Sequence, residues 1–508
     1  MSRRTQFRRK EMHPTEMRVQ DVASPGQASR ARPNRWETAE VEGAASTPVV
    51  ARGPKPGKSR LPWPAALLLI SLVIPWIIQV GPVRLSVYRI VLLLTLAPSL
   101  ALWCTGRAGR IRVADIALLF YALWCVLGLV AIHGVNVALQ PSAVILIETM
   151  GPYLLARLYI RDAESFYGMV NLLFKLFVLF LPLTLVESLT GRNLTLQIFG
   201  TVFPTPPDSP YEPRWGLRRV QGFLEHPILY GVFTGSIVAM VYMVLGYGKT
   251  ALTRYGKTGL AFLAAFLCMS AGPISAVVAQ IGLITWNGVL KASVQRWKLF
   301  WGIVAAMYMF VAVVSNQSVP EFYIGHFSFD EASAYYRVLI WRFGSESALN
   351  HPFFGVGLNE WERPDWMPNS IDMFWLIHAV LNGIPAALAM LLAFFSIVIA
   401  LCFKQGLDPK LDQYRMAHLF SMAGFFLVGW TVHFWNGTYV LFMFLLGSGV
   451  WLLDVETKPL SARRAIEGSA RQRLSHRRTP AALSGEEASK TTRHRSAGAS
   501  LGRKGRGS

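Results

Sequence analysis

Apolar and polar positions alternate along this chain in long blocks rather than short periods. Twelve apolar runs stand out, at about 62–80, 86–105, 113–133, 140–158, 167–188, 228–247, 258–272, 274–290, 299–316, 383–403, 414–432 and 437–454. A helix needs about 20 apolar residues to cross the hydrocarbon of a bilayer, so the pattern predicts about twelve transmembrane helices. Gly272 and Pro273 divide two short runs. Pro273 has no N–H to donate, which predicts a tight reversal there; one kinked helix in its place would invert the topology downstream.

The polar blocks test that topology. Basic residues collect on the cytoplasmic side of membrane proteins. With the N-terminus inside, the inner loops near 104–112, 156–164, 246–258, 291–298 and 403–415 each carry two or more Lys/Arg. The opposite loops near 81–85, 134–139, 189–227, 317–371 and 433–436 are poorer in them for their length. Both termini then lie inside, and the two longest loops, 189–227 and 317–371, lie on the outer face. There is no evident internal repeat, which weighs against a transporter built from inverted halves.

Composition agrees with a membrane protein. The chain of 508 residues is 53% hydrophobic and 16% charged, against roughly 25% charged in a soluble domain. The net charge of +21 is concentrated at the ends. Residues 1–60 hold 13 Lys/Arg against 6 Asp/Glu, and residues 455–508 hold 13 against 4, so the tails supply +16 of the +21. Their Pro, Gly, Ser and Ala content suits disorder, and their charge suits contact with anionic lipids. Nucleic acid is not an expected partner, because no binding motif accompanies the charge. The first apolar run starts about 60 residues in, so a cleaved signal peptide is not expected. The organisation is therefore a basic tail 1–60, a polytopic domain 61–454 and a basic tail 455–508. Cys104, Cys125, Cys268 and Cys402 form no CxxC pair and read as small buried hydrophobes.

Candidate chemistry lies in the two outer loops. The first ends with Arg214, Arg218, Arg219, Gly222, Glu225, His226 and Pro227. A guanidinium presents a fork of donors that matches phosphate oxygens; a solvated basic turn, or contact with lipid phosphates, is the alternative. In the second loop, Tyr336, Leu339, Ile340 and Phe343 at i, i+3, i+4 and i+7 predict a helix over 333–349 with Arg337 and Trp341 beside its apolar face. Such a helix can also lie on the membrane surface. Asn350, His351 and Pro352 end it, and Gly355 and Gly357 predict close-packed backbone. Asn359, Trp341 and Trp361 are suited to contacting a sugar. Asp372 stands where the loop re-enters apolar sequence, as a helix cap or as an acid or base at the head of a cavity. His378 on the next segment reads as structural. Within the spans, Glu148 and Lys175 are placed to pair, and Glu187 sits near an outer end. No phosphate-binding glycine loop, HExxH, GxSxG or acidic metal pair is present, so neither a cofactor nor a metal is expected.

The runs RVQGFLEHP (Arg219 to Pro227) with Gly231, RVLIW (Arg337 to Trp341), NHPFFGVG (Asn350 to Gly357) and DMFWL (Asp372 to Leu376) with Gly383, in this order, resemble the O-antigen ligase and polysaccharide polymerase family of bacterial inner-membrane proteins. The resemblance covers about 190–400; the remaining spans match only in hydropathy. It implies an all-α polytopic fold of about twelve helices with two large periplasmic loops, similar to the GT-C glycosyltransferases. It further implies a metal-independent glycosyl transfer at the periplasmic face from a glycan carried on undecaprenyl diphosphate to a glycan acceptor. On that basis Arg219 and Arg337 hold the diphosphate with Arg218 as helper, and Asp372 is the base, with Glu225 or His226 as substitutes. Ligases of the family tend to carry His at the position of Asp372. This departure favours a polymerase of exopolysaccharide or O-antigen repeat units over a ligase acting on lipid A core or protein, with export and chain-length proteins as partners. A lipid-linked-sugar transporter using Glu148 and Lys175 is the reading from another class.

Overall fold

The computed structural model describes residues 61–456, except 82, 210 and 327–330. The two basic tails, apart from Val455 and Glu456, lie outside the described residues. The chain is mostly helical. The first apolar run is an exception to the expected spans. Helix α1 (Trp63–Ser71) has only nine residues, and Pro75 precedes strand β1 (Ile77–Val80), which pairs antiparallel with β2 (Val83–Ser86). Proline cannot continue the helix, and the β-branched residues after it favour extended backbone. Ile77 donates its N–H to the carbonyl of Pro204 at 2.7 Å, and the Trp76 ring packs edge-on against Phe199 and Phe203. The hairpin is thereby pinned to the first outer loop.

Helix α2 (Val87–Cys104) leads to α3 (Val113–Tyr159), a continuous helical assignment of 47 residues. Straight, it would be about 70 Å long. Instead it folds back at Gly134, whose φ of 76° and ψ of 165° are not helical. The proof of the reversal is a contact between its two ends. Arg157 Nη1 lies 2.7 Å from Asp115 Oδ1, and the Tyr153 hydroxyl donates to the same oxygen at 2.6 Å. Arg157 Nη2 also donates to the carbonyls of Ala108 and Arg110 at 3.0 and 2.9 Å. The two limbs match the expected runs 113–133 and 140–158.

Next come α4 (Ala163–Thr190) and the short α5 (Leu194–Gly200). Helices α6 (Pro227–Gly235) and α7 (Val238–Met240), with the π-helical turn Val241–Leu245, make one apolar element. Helices α8 (Ala251–Phe266) and α9 (Ala271–Val289) are separate, as expected. The break lies at 267–270, just ahead of Gly272 and Pro273, which occupy the first turn of α9; proline is tolerated there because first-turn N–H groups have no helical partner. Helix α10 (Arg296–Val314) buries none of its residues within the protein.

The described residues of the second loop have a core of their own. The loop contains α11 (Val319–His326) and α12 (Glu331–Asn350), the latter over the stretch expected to be helical. Its buried face includes Ala334, Arg337, Ile340, Gly344 and Ser347, so Arg337 lies within that face rather than beside it. A second hydrophobic core, with Ile324, Ile340, Trp361, Met367, Met373 and Val380, holds the loop together. The loop then enters α13 (Phe374–Asn382), α14 (Ile384–Phe403), α15 (Pro409–Val428), α16 (Asn436–Ser448) and α17 (Trp451–Asp454). The backbone of the loop lies directly on this re-entry: Val356 and Gly357 donate to the carbonyls of Val380 and Leu381, both at 2.9 Å, and Ile384 donates to Pro352 at 2.8 Å. At Gly383 (φ 84°) a Cβ would fall 2.0 Å from the Phe353 carbonyl oxygen, so only glycine permits the approach. The loop also rests on the α3 reversal, where Leu358 donates to His133 Nε2 at 2.8 Å.

Among the described residues, seven elements are long and apolar enough to cross a membrane: Val87–Cys104, Val113–Tyr159, Ala163–Thr190, Pro227–Leu245, Arg296–Val314, Ile384–Phe403 and Asn436–Asp454. The chain is thus a multi-pass helical membrane protein with a small β-hairpin. Breaking its most buried ion pair should show how far the α3 hairpin depends on it. Asp115→Ala leaves Arg157 charged and unpaired, and is expected to cost about 3–5 kcal/mol. Thermal unfolding of the detergent-purified variant checks this; a melting temperature equal to the wild type's would refute it.

Candidate functional site

The first wall of the site starts from Glu187 at the end of α4. Sequence position alone suggests an accessible group, but it is fully buried. Its carboxylate accepts from the backbone N–H of Gln221 at 2.8 Å and of Gly222 at 3.0 Å. Gly222 has φ of 62°, and a Cβ there would meet the Tyr230 ring at 2.7 Å. Val220 donates to the Leu267 carbonyl at 3.0 Å. These bonds fix the backbone that follows Arg219. The Arg219 Nη2 donates to Ser270 Oγ at 2.8 Å, and its guanidinium lies over the Tyr211 ring at 5.6 Å. Arg214 Nη1 donates to the Met269 carbonyl at 2.7 Å. Both arginines therefore converge on the α8–α9 connection.

The second wall is α12. Arg337 is 8% exposed, with Nε donating to the Thr431 carbonyl and Nη1 to Ser333 Oγ, both at 3.0 Å. Gly272 brings the two walls together, because a Cβ on it would lie 3.0 Å from Thr431 Oγ1 and from Val432. Electrostatics reports the same proximity. Burial lowers the pKa of Arg219, and the like charges of Arg214 and Arg337 lower it further. Burial raises the pKa of the half-buried Asp372, while the Arg337 charge works against that rise. Arg337 is thus the common neighbour: its charge acts on Arg219 on one side and on Asp372 on the other. Guanidinium groups so placed match an anion with several oxygens.

Among the described residues, three non-glycine positions have left-handed φ: Trp215 (51°), Met269 (45°) and Asn436 (50°). Trp215 follows Arg214, Met269 takes its hydrogen bond, and Asn436 adjoins the turn that carries Thr431. Strain of this kind persists only where surrounding contacts over-determine it, and it gathers at functional sites.

Other candidate residues are engaged elsewhere. Arg218 pairs with Asp208 and donates to the Gly191 carbonyl. Glu225 Oε1 accepts from Asn436 Nδ2 at 2.9 Å, and burial raises its pKa. From Asn436 the chain of bonds runs on through Arg89 to Glu148 at 2.7 Å, where Tyr88 also donates. The expected Glu148–Lys175 pair is not formed: Arg89 takes the carboxylate, and Lys175 points to the exposed side of α4. His226 caps α6, its Nδ1 accepting from Ile228 N–H at 3.0 Å. Trp341 packs edge-on against Trp430. Trp361 is 3% exposed and donates to the Asn369 carbonyl at 3.0 Å. Asn359 is exposed at the loop surface. His378 Nδ1 is hydrogen-bonded to the Tyr121 hydroxyl at 2.9 Å inside the bundle. Sequence reading passes over Ser270 and Thr431, because their contacts are made by a small hydroxyl and a backbone carbonyl that no spacing rule marks.

No protein-family model matches the chain, and no curated protein is significantly similar to it.

Burial, and then the charge of Arg219, lower the His226 pKa to about 4 from its ordinary 6.5. The folded state therefore takes up the proton less readily than the unfolded chain. The stability from the neutral cap is fully present above pH 6.5 and is lost as pH falls from there through about 4. The melting temperature of the wild type should fall over this window. His226→Asn, which keeps a capping group without a titrating one, should flatten the decline; an unchanged slope would show that His226 does not contribute to it.

Proposed function

We propose that this chain is a bacterial inner-membrane polysaccharide polymerase of the O-antigen ligase and polymerase family. It crosses the membrane many times in a GT-C-like arrangement, with the C-terminus cytoplasmic and the site at the periplasmic face. The donor is a glycan repeat unit on undecaprenyl diphosphate. The single observation that carries the reading is the placing of Arg337 where its charge acts on both Arg219 and Asp372, from segments more than 30 residues apart in sequence.

The chemistry follows from these groups. Asp372 accepts the proton of an acceptor hydroxyl, and burial makes it a stronger base than an exposed carboxylate. The hydroxyl oxygen bonds to the anomeric carbon of the donor while the bond from that carbon to the diphosphate oxygen breaks. Charge grows on the leaving diphosphate, where Arg219, Arg337 and Arg214 offer donors that need little rearrangement. The step is balanced: a glycosidic bond replaces a glycosyl phosphate bond, the proton rests on Asp372, and undecaprenyl diphosphate departs.

Arg337→Ala is expected to lower polymer formation by about 10²–10³-fold, the usual effect of removing one donor to a developing charge. Arg337→Lys should restore it only in part, since a point charge replaces a fork. Asp372→Ala should abolish polymer. Sizing of surface and lipid-linked glycans in cells with normal amounts of membrane-inserted variant reads all three. Single lipid-linked repeat units are expected; accumulated long lipid-linked chains would assign a ligase, and unchanged polymer would overturn the reading.

A further inference from the structure

A chain of partly exposed rings begins at Arg219 and leads away from the arginine cluster. Tyr211 lies under the Arg219 guanidinium, and its ring centroid is 4.5 Å from that of His226. His226 is 6.1 Å from Trp435, and Trp435 is 5.5 Å from His433. The four rings come from two segments: the end of the first outer loop and the α15–α16 turn. Every one is partly exposed, in contrast to the buried aromatic core around Phe374 and Phe442.

The wall is held rigidly. The His226 ring is fixed by its cap to Ile228. Trp435 is followed by Asn436, whose left-handed backbone is clamped by side-chain bonds to Arg89 and Glu225, both at 2.9 Å. Phe434, on the other side of Trp435, is 1% exposed within the core. The strain at Asn436 is thus spent where it orients an exposed ring.

We propose that Tyr211, His226, Trp435 and His433 form a stacking wall for the sugars next to the diphosphate. The proposal rests on the diphosphate reading of the arginine site and adds to it the place of the glycan. Sugar rings present C–H faces and hydroxyl edges, and rings with an apolar face and a polar rim match both. The successive rings are inclined at 58°, 66° and 43°, so the wall is faceted and suits a chain of sugars more than one flat ligand. Both imidazoles titrate near 4, so they are neutral at neutral pH and add no charge beside the arginines. The proposed sugar contacts are accordingly Tyr211 and Trp435, while Trp361 is buried within the second loop and Trp341 packs on Trp430.

Binding to the purified protein in nanodiscs tests this with two probes, undecaprenyl diphosphate and undecaprenyl-diphosphate-linked glucose. The wild type should bind the glucose-bearing probe about tenfold more tightly, the scale of one good aromatic contact. Trp435→Ala should erase that preference and leave binding of plain undecaprenyl diphosphate within about twofold, whereas Trp435→Phe should keep most of it. His433→Ala, at the end of the wall away from Arg219, supplies the same readout if Trp435→Ala does not fold. Equal binding of the two probes by the wild type, or an equal loss of both in Trp435→Ala and His433→Ala, would overturn the wall while leaving the diphosphate site intact. Failure of the wild type to bind either probe would overturn both.

Discussion

Two backbone amides and one buried carboxylate determine where the first outer loop lies. Glu187 reaches out of α4 and accepts from Gln221 and Gly222. A buried carboxylate must be paired or well hydrogen-bonded, or its burial is very costly. The loop therefore satisfies Glu187, and Glu187 positions the loop. With the segment held there, Val220 reaches the α8–α9 connection and Arg219 reaches Ser270. Gly222 is required because Tyr230 occupies the space a side chain would take.

Main-chain carbonyls help to hold the arginines of both walls. Arg337 gives its Nε to Thr431 and Arg214 gives an Nη to Met269. Burial, and then the like charges of Arg214 and Arg337, lower the pKa of Arg219. An anion with several oxygens would relieve the repulsion on arrival. The groups are in place beforehand, so little reorganisation accompanies its binding.

Much of the architecture is legible in the order of residues. Long apolar blocks, the helix around Arg337 and the glycines at 355 and 357 each reflect local rules of period, length or backbone freedom. The first span misleads because nineteen mostly apolar positions conceal Pro75 and a β-branched run. The Glu148–Lys175 pair misleads for another reason: placing two charges on neighbouring spans says nothing of the helix face each occupies, and Arg89 competes from α2. Arg219, Arg337 and Asp372 can be picked out as candidates, yet their partners cannot. Ser270 and Thr431 fall inside the expected runs 258–272 and 414–432, yet the helices stop short of them, and Thr431 is brought close by the approach at Gly272.

The re-entry of the second loop is secured by main-chain bonds on both sides. Phe374 donates to the Val432 carbonyl at 3.1 Å, and Val356, Gly357 and Ile384 complete the set across the loop base. Such bonds are indifferent to which side chains the segment bears, apart from the glycines that let the strands of chain touch. The residue at 372 can therefore be exchanged without the surrounding scaffold being rebuilt. The scaffold holds that position in place whatever stands there, so a change at 372 need not leave any trace in the fold.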